Sequence, residues 1–202
     1  MIDTIIFDIG NVLMRFDWPG FMKKYFNDPE VIKRVTKAMF DTHLWEEFDR
    51  GYRENEDILA AFIHEDPGVE DAIRFSYNRI AECCHAYSHA IPWIKELKEQ
   101  NYQVLFLSNY SHYLMDAAPD VLNFLPYMDG GVFSCDVHLL KPEEAIYTCI
   151  CEKYSLTPQN CVFLDDTAVN IDAANAYGIH GILFTNYEEA HKKLENLLSS
   201  QN

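Results

Sequence analysis

The feature that most constrains the fold is an alternation of short apolar segments with longer segments of helical periodicity. Each apolar segment is rich in β-branched or aromatic residues and is followed by polar residues, as expected for buried strands. Strands are predicted at 2–7, 103–107, 132–134, 161–164 and 182–184, and helices at 92–98, 142–153, 168–177 and from 187 onward. This alternation predicts an α/β fold, a doubly wound parallel sheet with helices on both faces.

The stretch between the first two strands has a different character. From Trp18 to about His89, apolar residues recur at helical spacing among charged and aromatic ones, interrupted at 66–68 by Asp-Pro-Gly. The first apolar run also resumes at 12–14, after a strand that we expect to end at Asp8. We therefore predict a core formed by residues 1–15 and 90–202, and a small inserted helical cap domain formed by residues 16–89.

Composition limits the partners of this chain. Its 202 residues, 49% of them hydrophobic, can bury one core and a small second unit. A formal net charge of −16 repels nucleic acid and anionic lipid, so we expect neither as a partner. No apolar run reaches the roughly 20 residues of a membrane span. The first residues do not resemble a signal peptide, so we expect a cytoplasmic protein whose six cysteines are reduced.

Polar residues follow three of the predicted strands, at the edge where an α/β sheet binds its ligands. They are Asp8, Ser108-Asn109 and Asp165-Asp166, and Lys141 precedes a helix between the last two. Carboxylates can bind Mg²⁺, and a lysine with a hydroxyl can bind a phosphoryl group. Taken singly, each residue also fits a turn, a helix cap or a solvated loop. Two adjacent acids after an apolar strand repel each other, which favours a bound cation.

Four short motifs, in this order along the chain, resemble the signature of the haloacid dehalogenase superfamily. They are 7–13 (Phe-Asp-Ile-Gly-Asn-Val-Leu), Leu107-Ser108-Asn109, Lys141-Pro142, and Leu164-Asp165-Asp166 with Asn170. The similarity spans nearly the whole chain and is greatest to sugar-phosphate phosphatases with a helical cap. Bacterial glucose-1-phosphate phosphatases share its Asp-x-Gly-Asn first motif. The resemblance implies a hydrolase core, a cap over the site, and a small phosphorylated metabolite as the substrate.

The resemblance also implies a role for each motif residue. Asp8 would be the nucleophile that forms an aspartyl phosphate, and Lys141 would neutralise this intermediate. Ser108 and Asn109 would contact the phosphoryl oxygens. The ligands of a Mg²⁺ cofactor would be Asp8, the carbonyl oxygen of Gly10, Asp165 and Asp166. Two further readings stay open: Asn170 and Asp172 either orient the acidic loop or simply occupy a helix, and Arg50-Gly51 resembles a cap segment that reaches the substrate in relatives.

Gly10 departs from the family pattern. Most phosphatases of the superfamily have a second Asp two residues after the nucleophile, where it acts as the general acid and then as the base. Metal binding through the backbone carbonyl survives the change to Gly, whereas proton transfer by a side chain does not. We expect a slower enzyme, a substitute carboxylate such as Asp17, or a leaving group that needs little protonation, such as an anomeric hydroxyl.

Two rival functions remain at this stage. A haloacid dehalogenase would share the nucleophile and the scaffold, but it would need no Mg²⁺, so the paired acids Asp165 and Asp166 argue against it. A phosphate-binding or regulatory protein with little turnover would keep the same pocket, and Gly10 permits that reading. The sequence leaves the identity of the substrate and the oligomeric state open.

Overall fold

The computed structural model describes residues 1–200, and it contains a main parallel sheet and a separate two-stranded ribbon. The strands are β1 (Thr4–Phe7), β2 (Met14–Phe16), β3 (Cys84–Ala86), β4 (Gln103–Ser108), β5 (Gly130–Phe133), β6 (Cys161–Asp165) and β7 (His180–Leu183). The order in the main sheet is β5-β4-β1-β6-β7, and all its neighbours are parallel. The first strand therefore lies at the centre, which places its carboxyl end in the middle of the ligand-binding edge.

The helices fall into an inserted group and a group that covers the sheet. The inserted ones are α1 (Trp18–Tyr25), α2 (Pro29–Phe40), α3 (Leu44–Arg50), α4 (Asn55–Glu65) and α5 (Glu70–Asn78). The others are α6 (Ala90–Glu99), α7 (His112–Ala117), α8 (Ser134–Val137), α9 (Glu144–Tyr154), α10 (Ala168–Tyr177) and α11 (Tyr187–Ser199). Short 3₁₀ turns lie at Pro67–Val69, Ile80–Cys83, Pro119–Leu122, Leu125–Tyr127 and Pro158–Asn160.

Helices cover both faces of the main sheet because successive residues of each strand point to opposite sides. Ile5 and Phe7 of β1 join an apolar cluster that includes Trp93 of α6. Ile6, between them, joins the cluster on the other face with Ile150 of α9. All of these side chains are almost completely buried. The doubly wound α/β class predicted from the sequence is confirmed.

The inserted helices are connected to the core by the two-stranded ribbon. Strands β2 and β3 are antiparallel, with Met14 opposite Ala86 and Phe16 opposite Cys84. The chain thus leaves and re-enters the core at one place. Apolar residues of the insertion belong to the same continuous cluster as β1, so the helices pack directly on the core. The exact cap boundaries, residues 16 and 89, stay a prediction.

The segment after β1 departs from a continuous strand. Leu13 and Met14 both donate backbone hydrogen bonds to the carbonyl of Ile9, at 2.9 and 3.0 Å, which closes a turn. Asn11 within this turn has φ +54°, a left-handed conformation that asparagine tolerates better than most residues. The apolar residues at 12–14 are therefore buried in a loop and at the start of β2, and they do not extend the main sheet.

Other boundaries shift by one to three residues. The strand expected at 132–134 ends at Phe133, because Ser134 already begins α8. The helix expected from Pro142 begins at Glu144, after a loop that carries Lys141. The last strand starts at His180 and not at Ile182, since β7 pairs with β6 from Val162 onward. Cross-strand pairing overrides the low strand propensity of Gly181 here.

All six cysteines are unpaired thiols, and all but Cys149 are buried. Burial raises the pKa of Cys83 and Cys135 to about 12, so these thiols remain protonated at neutral pH.

Within residues 1–200, no helix combines the length and the apolar character needed to cross a membrane.

Candidate active site

Asp8 directly follows the central strand and is 7% exposed. Its backbone N–H donates to the carbonyl of Leu164 at 2.8 Å, which ties the residue to β6. Its Oδ1 atom accepts hydrogen bonds from the Ile9 N–H and the Ser108 hydroxyl, both at 2.7 Å, and lies 2.8 Å from Lys141 Nζ. Its Oδ2 atom accepts no hydrogen bond from residues 1–200. The carboxylate is thus held by one oxygen while the other stays available.

Lys141 places a buried positive charge between two carboxylates. Its Nζ atom donates to Asp165 Oδ2 at 2.7 Å and contacts Asp8, and its side chain is 1% exposed. Its main chain is held by Asn109, whose Oδ1 accepts from the Lys141 N–H at 2.9 Å and whose Nδ2 donates to the Lys141 carbonyl at 3.0 Å. The Asn109 side chain thus fixes the loop that carries Lys141, and contact of Asn109 with a phosphoryl group stays a prediction.

Asp165 ends β6 and has no exposed surface. Its Oδ1 accepts from the Thr167 N–H at 2.7 Å, and its Oδ2 accepts from Lys141. The Asn170 side chain donates to both carboxylate oxygens at 3.1 Å. Asn170 is itself 7% exposed, and its carbonyl accepts from the Tyr147 hydroxyl at 2.9 Å. Asn170 therefore orients the acidic loop, whereas Asp172 is exposed.

Asp166 is more accessible than Asp165 and faces the turn after β1. Its Oδ2 accepts from Asn11 Nδ2 at 3.0 Å, and the Asn11 Oδ1 accepts from the Phe16 N–H at 3.2 Å. Gly10 lies next to Asn11, and a Cβ atom added to Gly10 would meet no atom within 4 Å. There is therefore open space at the position where a general acid stands in related phosphatases.

The acidic residues converge as the sequence predicted. One oxygen from each of Asp8, Asp165 and Asp166 lies within 4.8 Å of the others. Oxygen donors of this kind suit Mg²⁺, which is bound by a few carboxylates and otherwise retains water and phosphate oxygens. The donor set fits the ion. Both oxygens of Asp165 and both oxygens of Asp166 already accept hydrogen bonds, the Oδ1 of Asp166 from the Thr167 hydroxyl at 3.3 Å, whereas Oδ2 of Asp8 accepts none from residues 1–200. Asp165 also has no exposed surface, so Asp8 and Asp166 are the more accessible carboxylates.

Burial dominates the protonation of the site. It raises the pKa of Asp8 to about 6, a shift that the attraction of Lys141 opposes and the repulsion of Asp165 increases. Burial also acts to lower the pKa of Lys141, but the combined attraction of Asp8 and Asp165 outweighs it and the pKa is raised. At neutral pH the nucleophile candidate is therefore ionised and paired with a charged lysine.

One inserted helix, α3, is joined to the core beside this edge. The Arg50 guanidinium at the end of α3 donates to Glu143 at 3.1 Å and to the His138 carbonyl at 3.1 Å. The His138 ring interacts with the Arg50 carbonyl at 2.8 Å and stacks on Tyr52. Arg50 thus joins α3 to the loop that carries Lys141, and contact of this residue with the substrate stays a prediction.

Gly51 allows this close approach. It ends α3 with φ +73°, and an added Cβ would lie 2.9 to 3.0 Å from the main chain of Cys135 in α8. A side chain here would push the cap away from the core.

The sequence model of the haloacid dehalogenase-like hydrolase family matches residues 2–178. The chain belongs to this family. It is thus a hydrolase, as the sequence motifs implied, and the specific resemblance to glucose-1-phosphate phosphatases stays a prediction.

Relatives of this haloacid dehalogenase-like hydrolase include named phosphatases. Sesquiterpene phosphatase astK of Aspergillus oryzae is 26% identical over 89% of this chain and 88% of its own length. Flavin mononucleotide hydrolase 1 of Arabidopsis thaliana is 21% identical over 96% of this chain and 76% of its own length. Drimenol cyclase drtB of Aspergillus calidoustus is 21% identical over 99% of this chain, which spans only 37% of that protein.

Solved structures of the superfamily share the fold. A family enzyme from Bacteroides thetaiotaomicron, in complex with magnesium and inorganic phosphate, matches with a TM-score of 0.67 at 18% identity, covering 91% of this chain and 94% of that chain. L-2-haloacid dehalogenase from Xanthobacter autotrophicus matches with a TM-score of 0.63 at 18% identity, covering 94% and 80%. The shared scaffold therefore does not distinguish the two chemistries.

Two acids of the inserted segment, Asp17 and Asp49, differ in their surroundings. Asp17, the expected substitute acid, caps α1 by accepting from the Gly20 N–H at 3.1 Å and forms an ion pair with Arg15 at 2.7 Å. Asp49, which sequence reasoning missed, is 8% exposed and close enough to Asp8 for their charges to interact. The only signal for it was its place beside Arg50-Gly51, the segment that resembles a substrate-contacting part of the cap.

Proposed function

We propose that this protein is a magnesium-dependent phosphatase that cleaves a small phosphorylated metabolite through an aspartyl phosphate on Asp8. The observation that carries the proposal is the state of this carboxylate. One oxygen is fixed by Ser108, Lys141 and a backbone N–H, while the other accepts no hydrogen bond from residues 1–200. A buried nucleophile in a fixed orientation meets the main requirement of phosphoryl transfer, which depends on positioning and charge stabilisation.

Each residue of the site has a separate role in the proposed reaction. Asp8 attacks phosphorus and becomes the acyl phosphate, while Lys141 neutralises negative charge on the transferred group. The Ser108 hydroxyl donates to the same region, and Asn109 keeps the lysine in place through its main chain. Mg²⁺, bound by Asp8, the Gly10 carbonyl and Asp166, would neutralise the phosphoryl oxygens. Asp165 acts by holding Lys141.

A small molecule fits the space beside this site. A cavity of about 610 Å³ opens next to Asn11 and Asp166, within the range of about 300 to 1,000 Å³ that is common for ligand pockets. Its wall includes the rings of Tyr87 and Tyr187 and the guanidinium of Arg15. Aromatic faces with hydrogen-bonding groups suit a sugar phosphate. An aldose 1-phosphate is our specific candidate, because its anomeric leaving group needs little help from an acid.

Named relatives and chemistry favour this proposal over the two rivals. Two relatives carry names that describe hydrolysis of a phosphorylated small molecule. Attack on a haloacid carbon requires no Mg²⁺, so it gives no role to a second, accessible carboxylate such as Asp166. A binding protein would not need an ionised carboxylate with an unbonded oxygen at the centre of the pocket. A cytoplasmic location stays a prediction.

Hydrolysis of p-nitrophenyl phosphate tests the proposal. We expect nitrophenol release that requires Mg²⁺, is abolished by EDTA and is lost in Asp8→Asn. Asp57→Asn, which removes an exposed carboxylate from α4, is the matched control and retains activity. Activity that survives Asp8→Asn or EDTA would contradict the mechanism. Halide release from 2-chloropropionate would support the dehalogenase instead, and saturable phosphate binding without any turnover would support the binding protein.

A further inference from the structure

The side chain of Asp49 is a buried carboxyl group that forms no hydrogen bond and no ion pair with residues 1–200. Asp49 is the penultimate residue of α3 and is 8% exposed. Unpaired buried carboxyl groups are rare, because burial without a partner costs free energy. Such a group is retained where its chemistry is used or where a ligand completes its interactions.

The main chain of Asp49 is tied to the wall of the active site. Its carbonyl accepts a hydrogen bond from Ser134 Oγ at 2.6 Å, and the same Oγ accepts from the Tyr110 N–H at 2.9 Å. Tyr110 lies two residues after Ser108, which binds Asp8. A chain of short contacts therefore connects the end of α3 to the strand that supplies the phosphoryl-binding hydroxyl. The position of Asp49 is fixed relative to the nucleophile.

Charged groups around Asp49 keep its proton in place. Its pKa is raised to about 8, mainly by burial; the charges of Asp8, after β1, and of Glu46 on its own helix also raise it, and Lys141 lowers it. The remaining titratable neighbours are Tyr110 and Cys135 of α8, which burial keeps neutral.

We propose that Asp49 is the general acid and base of this phosphatase, supplied by the cap in place of the side chain that Gly10 lacks. This inference rests on the proposed function above. The carboxyl stands on the side of the site that the cap covers, within electrostatic range of both Asp8 and Lys141. Attacking and leaving oxygens lie roughly in line, so this role requires the leaving oxygen to lie on the Asp49 side of the nucleophile.

The two half-reactions balance with this one carboxyl group. In the first, an Asp8 oxygen forms a bond to phosphorus and the bond to the leaving oxygen breaks. The leaving oxygen takes the electron pair of that bond and the proton of Asp49, which becomes a carboxylate. In the second, the Asp49 carboxylate removes a proton from water, whose oxygen attacks the acyl phosphate. The products are inorganic phosphate, ionised Asp8 and protonated Asp49.

Two aryl phosphates of similar shape test this role. Phenyl phosphate has a poor leaving group that needs the acid, whereas 2,4-dinitrophenyl phosphate has a good one that does not. We expect Asp49→Asn to slow phosphoenzyme formation from phenyl phosphate by about 10²- to 10⁴-fold. The rate of phosphoenzyme formation from dinitrophenyl phosphate should change little. The second half-reaction loses its base, so dinitrophenol should appear as a burst of one equivalent followed by slow turnover. Asp57→Asn is the control and behaves as wild type with both substrates.

A rescue experiment separates catalysis from a structural effect. Because Gly10 has open space, the double variant Gly10→Asp with Asp49→Asn should regain phenyl phosphate hydrolysis by at least about tenfold over Asp49→Asn alone. Equal losses with both aryl phosphates, or loss in Asp17→Asn and not in Asp49→Asn, would overturn the inference and leave the phosphatase intact. A wild-type protein without Mg²⁺-dependent turnover would instead refute the proposed function.

Discussion

The protonation of Asp49 has a consequence for stability that does not involve catalysis. Its pKa is about 8 in the folded protein, against 3.8 for an ordinary aspartate. The folded state therefore keeps a proton that the unfolded chain releases above about pH 4. The stability linked to this proton is fully present below the unfolded pKa and is lost as the pH rises towards 8. Asp49→Asn removes the titration while it keeps the neutral, isosteric form.

The size of the effect follows from the linkage between protons and folding. One proton held by the folded state alone lowers the free energy of unfolding by about 1.4 kcal/mol for each pH unit. Between about pH 5 and pH 7 the wild type should therefore lose on the order of 3 kcal/mol more than Asp49→Asn. Because Asp49 is almost fully buried, little screening by solvent reduces this difference. The other titrating groups, Asp8 included, are common to both proteins and cancel.

Urea denaturation in EDTA, followed by circular dichroism at several pH values, measures this difference. EDTA removes cations that would stabilise the folded state by binding the nearby acids. Asp57→Asn serves as the control, because its carboxylate is exposed and its curve should run parallel to that of the wild type. If the curve of Asp49→Asn also runs parallel, Asp49 is ionised throughout this range. The catalytic role inferred for it would then lack its proton.

Three further substitutions test the rest of the site. Lys141→Met leaves Asp8 and Asp165 buried without a counter-charge, so the metal-free protein should lose about 3 to 5 kcal/mol of unfolding free energy in urea. Asn170→Ala removes the side-chain amide that bonds both oxygens of Asp165 and should weaken Mg²⁺ binding or turnover by about 10- to 100-fold, as measured by titrating activity with Mg²⁺. Arg50→Ala breaks an ion pair that is partly exposed, so it should cost no more than about 1 kcal/mol, yet hydrogen exchange in α3 should accelerate because the cap opens more often.

The residues that meet at the carboxyl edge of the sheet could be predicted mainly from the strand topology. Parallel strands end at the same edge, so Asp8 and Asp165, far apart in sequence, must approach once their strands are neighbours. Lys141 is different, because it lies in a loop after α8 and no strand carries it. Only its likeness to a family motif pointed to the buried position that the structure gives it. The position of this residue was thus predictable, but not from strand pattern alone.

Individual hydrogen bonds could not be predicted in the same way. Asn109 stands at the end of β4, where an amide could face either a ligand or the next loop. The structure directs it to the main chain of Lys141, a choice that depends on how the 138–143 loop folds. Sequence spacing contains no information about that loop. The same reason explains why Asn170, rather than the exposed Asp172, supports the acidic residues.

Asp49 could not be singled out because three of the seven residues of α3 are acidic. The helix carries Glu46, Glu47 and Asp49 within one turn, and helical periodicity shows only that they point in different directions. Which one is buried depends on the side of α3 that meets α8, and this is decided by a long-range contact. The αL conformation of Gly51 and its approach to Cys135 set that contact.

The charge balance of the site explains why an acid on the cap can take over from one at position 10. Lys141 is the one cation that contacts both Asp8 and Asp165 in the described chain, so the site cannot stabilise another buried carboxylate before a ligand binds. An acid that the cap buries beside these groups is therefore forced to keep its proton, and this protonated form is what a leaving oxygen requires.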